Sequence, residues 1–308
     1  MISIILPTFN RSHILTSTIN NVMAQTFTEY ELIIINDASS DNTEKIIQNL
    51  QSQDSRIQYI KNEKNIGTAG SRKIGYQQST RGIIVFLDDD DTWNKEKLMK
   101  QYNLLKHTNY DMVISDYYIK QYKQLTYKNM QPFGSDFKNQ ILKFPGPFFQ
   151  SIMIRKKIID KMEAPFDSNA VPSEDWDFFI ELAKLNIQVG HIAEPLFTWN
   201  INHDNQSLNL EKEALALEYI LEKHNTYFQE NINKNILSNH YRRIARLYEK
   251  IYLINGNAKQ IAKFYKKAFQ INPLSIKNIF YRINMIAGYQ YTRCLINSLR
   301  KIRGVPNA

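Results

Sequence analysis

Four consecutive carboxylates, Asp88-Asp89-Asp90-Asp91, follow the apolar run Ile83–Leu87 and precede Thr92-Trp93. Adjacent ionised carboxylates repel one another, so such a run keeps its charge beside a cation or a basic partner. Oxygen donors of this kind suit Mg²⁺ or Mn²⁺, ions that bridge one or two carboxylates to phosphate oxygens. The plainer reading is a solvated acidic turn that caps a helix starting near Asn94. A second polar cluster, Asn36-Asp37-Ala38-Ser39-Ser40-Asp41, follows Leu32–Ile35, where Asp37 either projects a carboxylate or forms an Asx turn. A third, Ser173-Glu174-Asp175-Trp176-Asp177, opens a pattern in which Asp175, Phe178, Phe179 and Leu182 stand three or four residues apart. Taken alone, acids at such a helix start cap the helix after Ser173. No GxGxxG follows a strand and no GxxxxGK[ST] occurs, so the two common phosphate-binding loops are absent.

These clusters need elements to hold them. Ile2–Leu6, Glu31–Ile35, Ile57–Ile60 and Ile83–Leu87 are runs rich in β-branched residues and bounded by polar turns, which predicts strands. Between them Ser12–Gln25, Asp41–Gln51 and Thr68–Gln78 carry helical spacing, with Ser40 or Asp41 as N-cap of the second. Alternating helices and nearly continuous apolar strands predict an α/β fold, a mostly parallel sheet flanked by helices. Ligands of such sheets bind at the carboxyl ends of strands, where Asp37 and Asp88–Asp91 sit. Beyond Asp91 the spacing predicts a helix over 94–107 and a strand near 112–119, then an aromatic, polar stretch to Gly146. A strand at Phe148–Ile154, a helix at Ser173–Leu185, an extended segment at Ile187–Asn200 and a polar loop at Asn202–Asn209 complete this part. From Leu210 helical patterns dominate, at Ala214–Phe228, Ile236–Leu253, Ala258–Gln270 and Ser275–Arg300. The chain therefore divides into an α/β domain, 1–209, and a helical C-terminal domain, 210–308.

The 308 residues are 43% hydrophobic and 22% charged, which excludes a disordered, collagenous or coiled-coil chain. The single Cys294 excludes an intramolecular disulfide and any CxxC metal site. The net charge of +9 is unevenly spread. Residues 1–209 carry 22 Lys/Arg and 24 Asp/Glu, whereas residues 250–308 carry 11 basic residues and no Asp or Glu. No apolar run approaches the ~18 residues that cross a bilayer, and the N-terminus lacks a basic signal-type region. The expected location is cytoplasmic, either soluble or peripheral on the inner face of the plasma membrane.

Taken in order, Ile4-Ile5-Leu6-Pro7-Thr8-Phe9-Asn10-Arg11, Ile34-Ile35-Asn36-Asp37-Ala38-Ser39-Ser40-Asp41-Asn42-Thr43, Asn65-Ile66-Gly67 with Gly70-Ser71-Arg72, the Asp88–Asp91 run and Ser173–Asp177 resemble the nucleotide-sugar half of glycosyltransferase family 2. The resemblance spans residues 1–205 and does not reach the C-terminal hundred. It implies the GT-A fold, a Rossmann-like sheet, and a metal-dependent, inverting transfer from a UDP-sugar. The acceptor would be a glycan, a lipid-linked glycan or a glycoprotein, in bacterial surface polysaccharide or glycoconjugate assembly.

The same resemblance assigns roles. Pro7, Thr8 and Phe9 line the base pocket, and Asp37 accepts from uracil N3–H, a proton that cytosine lacks. Arg72 packs beneath the acidic site, while Lys73 replaces the asparagine common next to it. Asp88 and Asp89 lie near ribose and sugar, and Asp90 is the principal ligand of Mn²⁺ or Mg²⁺. His203 is a second candidate for the metal or the diphosphate. Asp175 is the general base, with Glu174 and Trp176 on the acceptor side. Two other classes stay open: a nucleotide-sugar-binding module without catalysis, and a membrane-tethering scaffold.

The basic end asks its own question. Ile276, Ile279, Phe280, Ile283, Ile286 and Ala287 fall at helical spacing amid Lys277, Arg282, Arg293, Arg300, Lys301 and Arg303. A basic amphipathic helix lies on an anionic membrane surface, or packs and self-associates. No recognition motif supports nucleic acid.

Overall fold

Ile2–Thr8 (β1) and Tyr30–Asn36 (β2) are buried along their whole length, as strands covered on both faces must be. In the computed structural model, which describes residues 1–201, 209–255 and 259–286, each of the first strands is followed by a helix. Leu15–Met23 (α1) follows β1, Thr43–Gln53 (α2) follows β2, and Gly67–Gln78 (α3) follows Ile57–Lys61 (β3). Ile83–Phe86 (β4) then leads into the acidic run. Strands β3, β2, β1 and β4 lie side by side and parallel, so their carboxyl ends open on one edge. Helix α3 sits close to the sheet because Gly75 has no side chain. A Cβ there would stand 2.5 Å from the Ile5 side chain and 2.7 Å from that of Ile35.

The rest of the sheet is mixed. The short Thr92–Trp93 (β5) and the helix Lys97–Lys106 (α4) precede Met112–Gln121 (β6), which folds back in a hairpin onto Gln124–Lys128 (β7). Helices Gln131–Ser135 (α5) and Phe137–Lys143 (α6) follow. One 3₁₀ turn, Phe149–Ser151, then enters Ile152–Arg155 (β8), which pairs antiparallel with both β4 and β6. After Lys156–Ile159 (α7) and Glu174–Lys184 (α8), the long strand Val189–Ile201 (β9) runs parallel to β6 and antiparallel to β5. The nine strands form one mostly parallel sheet with helices on its faces, the α/β architecture expected.

Two local expectations are corrected. The aromatic stretch before Gly146 contains β7, α5 and α6, whose apolar residues were too sparse to show a period. The segment 148–154 is strand only from Ile152, because 149–151 turn as a 3₁₀ helix.

The chain clusters into two units, 1–206 and 207–308. The second is helical. Leu210–Lys223 (α9) and Asn225–Asn231 (α10) replace a single expected helix, with the break at His224. Lys234–Asn255 (α11), Lys259–Ile271 (α12) and Ile276–Ile286 (α13) follow. Its core includes Ile220, Phe228, Ile244, Phe264 and Tyr265. Of the expected polar loop Asn202–Asn209, residues 202–208, and of the expected helix Ser275–Arg300, residues 287–300, lie outside the described residues. No described helix is long and apolar enough to cross a membrane.

Candidate active site

The loops leaving β1 and β2 hold each other. Asn10 and Ala38 adopt positive φ, which turns both chains sharply off the strand ends. Asn10 N–H then donates to Ser39 Oγ at 2.9 Å, and Ser40 N–H returns a bond to Asn10 Oδ1 at 2.9 Å. Pro7 and Thr8 are buried in this floor, whereas Phe9 is 41% exposed and presents its ring. Asp37 is buried and bonded to the start of α3. Its Oδ1 accepts from Asn62 Nδ2 at 2.8 Å and Ile66 N–H at 2.9 Å, and its Oδ2 from Gly67 N–H at 2.8 Å. Oδ2 keeps acceptor capacity for a further donor. Gly67 reaches its place in this loop with φ +79°, a conformation that favours glycine.

The four acidic residues have four different surroundings. Asp88 accepts from Arg72 Nη2 at 2.6 Å and from Gln150 Nε2. Asp89 is buried, its Oδ1 3.5 Å from Arg11 Nε, and its carbonyl accepts from Thr18 of α1 at 2.7 Å. Burial raises its pKa to about 7, against the pull of Arg11. Asp91 is buried too, and its Oδ1 accepts from Asn200 N–H of β9 at 2.9 Å. Asn200 Nδ2 donates to the Asp90 carbonyl at 2.8 Å. The Asp90 carboxylate accepts from its own backbone N–H and lies 3.9 Å from Arg11, and burial followed by the nearby Asp88 charge lifts its pKa to about 6.

This distribution bears on a metal. Among the described residues no three His, Cys, Asp or Glu side chains converge on one point. Arg72 and Gln150 engage both oxygens of Asp88, Arg11 and Thr8 meet Asp89, and Asn200 meets Asp91 Oδ1, whereas Asp90 has its own backbone N–H and the long contact with Arg11. That donor set fits Mg²⁺ or Mn²⁺ held by one carboxylate and completed by phosphate and water oxygens. His203 lies outside the described residues.

Behind the acidic loop stands Arg72, on α3. Its side chain is buried, its guanidinium carbon lies 4.6 Å from the centre of the Phe149 ring, and its Nη1 donates to Glu174 Oε1 at 2.7 Å. Thr68 Oγ1 donates to the same oxygen at 2.8 Å. The neighbouring charges of Asp88 and Glu174 outweigh its desolvation and keep it ionised. Lys73, next in sequence, points to solvent.

Glu174 opens α8, so the same turn carries Asp175. Asp175 Oδ1 accepts from Trp176 N–H at 2.8 Å. Burial, then the adjacent Glu174 charge, raises its pKa to about 7. Tyr117 of β6 lies close enough that the Asp175 charge, together with burial, raises the phenol pKa.

The two acceptor-side candidates have these partners. Glu174 faces Arg72 and Thr68, where it braces the arginine. Trp176 is 1% exposed, and its Nε1–H donates to the Ile141 carbonyl at 2.8 Å, so it packs in the core.

Gln150, Phe149, Asn200, Thr68 and Arg11 were not singled out as site residues from the sequence. Arg11 and Asn200 stood beside motifs and were in view. Gln150 and Phe149 carried no signal, since only the pairing of β8 with β4 brings them to the acidic loop.

A sheet of this topology, with an acidic loop after β4 and a carboxylate pair opening α8, defines a GT-A glycosyltransferase. Residues 3–163 match Glycosyl transferase family 2, and the chain belongs to that family. It is 30% identical over 186 residues to the UDP-Glc:alpha-D-GlcNAc-diphosphoundecaprenol beta-1,3-glucosyltransferase WfgD of Escherichia coli, covering 60% of this chain and 71% of the relative. It is 28% identical over 256 residues to the poly(ribitol-phosphate) beta-N-acetylglucosaminyltransferase TarP of Staphylococcus aureus, covering 82% and 72%. Among solved structures, S. aureus TarS 1–349 in complex with UDP superposes with a TM-score of 0.59 at 16% identity, over 93% of this chain and 91% of that one.

Proposed function

We propose that this glycosyltransferase moves a sugar from a UDP donor, with inversion, to a hydroxyl of a glycan, lipid-linked glycan or glycoprotein in bacterial surface polysaccharide or glycoconjugate assembly. The observation that carries the reading is the bridge from Asp88 through Arg72 to Glu174, because it sets the donor-side acids beside the turn that carries Asp175. The uridine choice is supported by the remaining acceptor capacity of Asp37, and the lipid-linked acceptor by the WfgD relative, whose name specifies a diphosphoundecaprenol acceptor.

The base stacks on the exposed Phe9 ring over the floor of Pro7 and Thr8, with uracil N3–H donating to Asp37. Asp88 and Asp89 lie beside ribose and sugar. Asp175, with a pKa of about 7, takes the proton from the acceptor hydroxyl near neutral pH. The acceptor oxygen forms a bond to the anomeric carbon as the bond from that carbon to the UDP oxygen breaks, and UDP leaves with the electron pair. Attack from the opposite face converts an α-linked donor to a β-linked product. A divalent cation held at Asp90 would neutralise charge on the departing diphosphate. Glu174 and Phe149 hold Arg72 in place.

The test is a panel of UDP-, GDP- and CDP-sugars screened for thermal stabilisation with and without Mn²⁺, followed by transfer assays. UDP-sugars are expected to stabilise the chain, and more so with metal. Asp90→Asn should lose the metal-dependent part, and Asp175→Asn should keep donor binding but not transfer. Near-normal turnover of Asp175→Asn would overturn the assignment of the base. Donor binding without acceptor-dependent UDP release by the wild type would mark a binding module instead.

A further inference from the structure

Among its described side chains, helix α13 turns Asn278 inward and Ile276, Ile279 and Phe280 outward. Its buried position is Asn278, 1% exposed, whose Nδ2 donates to the carbonyls of Ala268 at 2.8 Å and Asn272 at 2.7 Å. Asn278 Oδ1 accepts from Arg242 of α11, itself buried and bonded to Ser238 Oγ at 3.2 Å. Tyr281 stacks on Tyr265 of α12 with ring centres 4.2 Å apart. These polar and aromatic contacts fix the rotation of the helix. The opposite side shows Leu274 at 88% exposure and Ile276 at 84%, with Pro273, Ile279 and Phe280 exposed beside them. An ordinary surface helix does the reverse, turning its apolar stripe to the core. Contiguous exposed apolar residues of this kind mark an interaction surface.

We propose that the α12–α13 turn docks this chain on an anionic phospholipid surface, inserting Leu274, Ile276 and Phe280 among the acyl chains while Lys266 and Lys277 meet the headgroups. Charge chooses the occupant. Lys277 is exposed beside Ile276 in the chain and Lys266 is exposed on α12, and from Lys250 onward 11 basic residues stand without one acidic residue. A second copy seated on the same patch would oppose identical basic surfaces, which repel. Nucleic acid would satisfy the lysines but offers nothing to cover two aliphatic side chains that are almost wholly exposed. An anionic bilayer supplies both the negative surface and the apolar layer beneath it.

The experiment is co-sedimentation of the full chain with phosphatidylcholine vesicles, with and without phosphatidylglycerol. Binding is expected only with phosphatidylglycerol, falling as salt is raised. Lys266→Gln with Lys277→Gln should weaken it roughly thirtyfold, since each basic residue near such a surface contributes about a factor of five. Leu274→Ser with Ile276→Ser should weaken it at least tenfold, with thermal unfolding unchanged because both side chains are already in water. Equal binding to neutral vesicles, no vesicle binding, or variants that bind like wild type would each overturn the proposal. So would a wild-type dimer that Leu274→Ser with Ile276→Ser converts to monomer, which would make the patch a self-association surface. The inference is separate from the catalytic reading: transfer to a water-soluble acceptor without vesicle binding would sink this proposal alone.

Discussion

Asp88 and Glu174 are joined by one guanidinium, with Arg72 Nη2 2.6 Å from the first and Nη1 2.7 Å from the second. The pair ties the loop after β4 to the start of α8, two elements that the proposed reaction places on opposite sides of the transferred sugar. Phe149 stacks against the guanidinium, and Thr68 supplies a second donor to Glu174. A planar fork can reach both carboxylates at once; a lysine ammonium has no such span.

Arg72→Lys is therefore expected to leave at least one carboxylate unpaired. Urea unfolding should show a loss on the order of 3 kcal/mol, and UDP affinity should fall at least tenfold. Glu174→Gln keeps an oxygen acceptor for Thr68 and Arg72, so its loss should be about 1 kcal/mol. Equal stability losses for the two variants would mean that the bridge does not act as a unit.

Asp175 should give the rate a pH dependence. A base must be unprotonated to take a proton, and burial with the adjacent Glu174 charge has raised its pKa to about 7. kcat/KM is expected to rise with pH through a midpoint near 7 and level off above it. Asp175→Glu should retain measurable transfer with a shifted midpoint, and Asp175→Asn should abolish the rise together with the activity. A profile flat between pH 5.5 and 8 in the wild type would exclude this carboxylate as the base.

Asp37 has a structural task as well as its proposed contact with uracil. It accepts from Asn62, Ile66 and Gly67 at 2.8–2.9 Å while buried. Asp37→Asn turns an amide N–H₂ toward donors that need an acceptor. Stability should drop by about 1–3 kcal/mol along with UDP affinity. If only UDP affinity changed, the three bonds would be inessential to the fold of the α3 loop.

The parallel half of the sheet was legible because its strands are short apolar runs between polar turns, and each predicts its own burial. Asp37, Asp88–Asp91 and Glu174-Asp175 were legible as acids at strand or helix ends. Their division of labour was not. Four identical carboxylates in a row carry no record of which meets Arg72, which meets Arg11 and which meets Asn200, since those partners arrive by long-range packing. Trp176 shows the same limit from the other side: its place in a motif suggested an acceptor contact, whereas α8 rotates it onto the Ile141 carbonyl. The inverted face of α13 was half visible, as apolar residues at helical spacing, but which side faces inward depended on Asn278 finding Arg242.

Asn200 gives the sharpest separation between holding the acidic loop and serving it. Its backbone N–H donates to Asp91 Oδ1 at 2.9 Å and its side chain to the Asp90 carbonyl at 2.8 Å, so β9 grips the loop at and just after the proposed metal ligand. Asn200→Ala removes the second bond, with a weaker one to Thr92 Oγ1 at 3.3 Å, and keeps the first. Metal-dependent stabilisation by UDP should weaken about tenfold, the equivalent of one such hydrogen bond, with only a small change in the unfolding midpoint of the free chain. Asp91→Asn retains an oxygen for the Asn200 N–H and should keep transfer within a few-fold of wild type. Asp90→Asn removes the proposed ligand carboxylate itself and should abolish the metal-dependent part. The order of loss, Asp90→Asn above Asn200→Ala above Asp91→Asn, is read by titrating Mn²⁺ in the presence of UDP. A larger loss for Asp91→Asn than for Asp90→Asn would exchange their roles, making Asp91 the ligand and Asp90 its support.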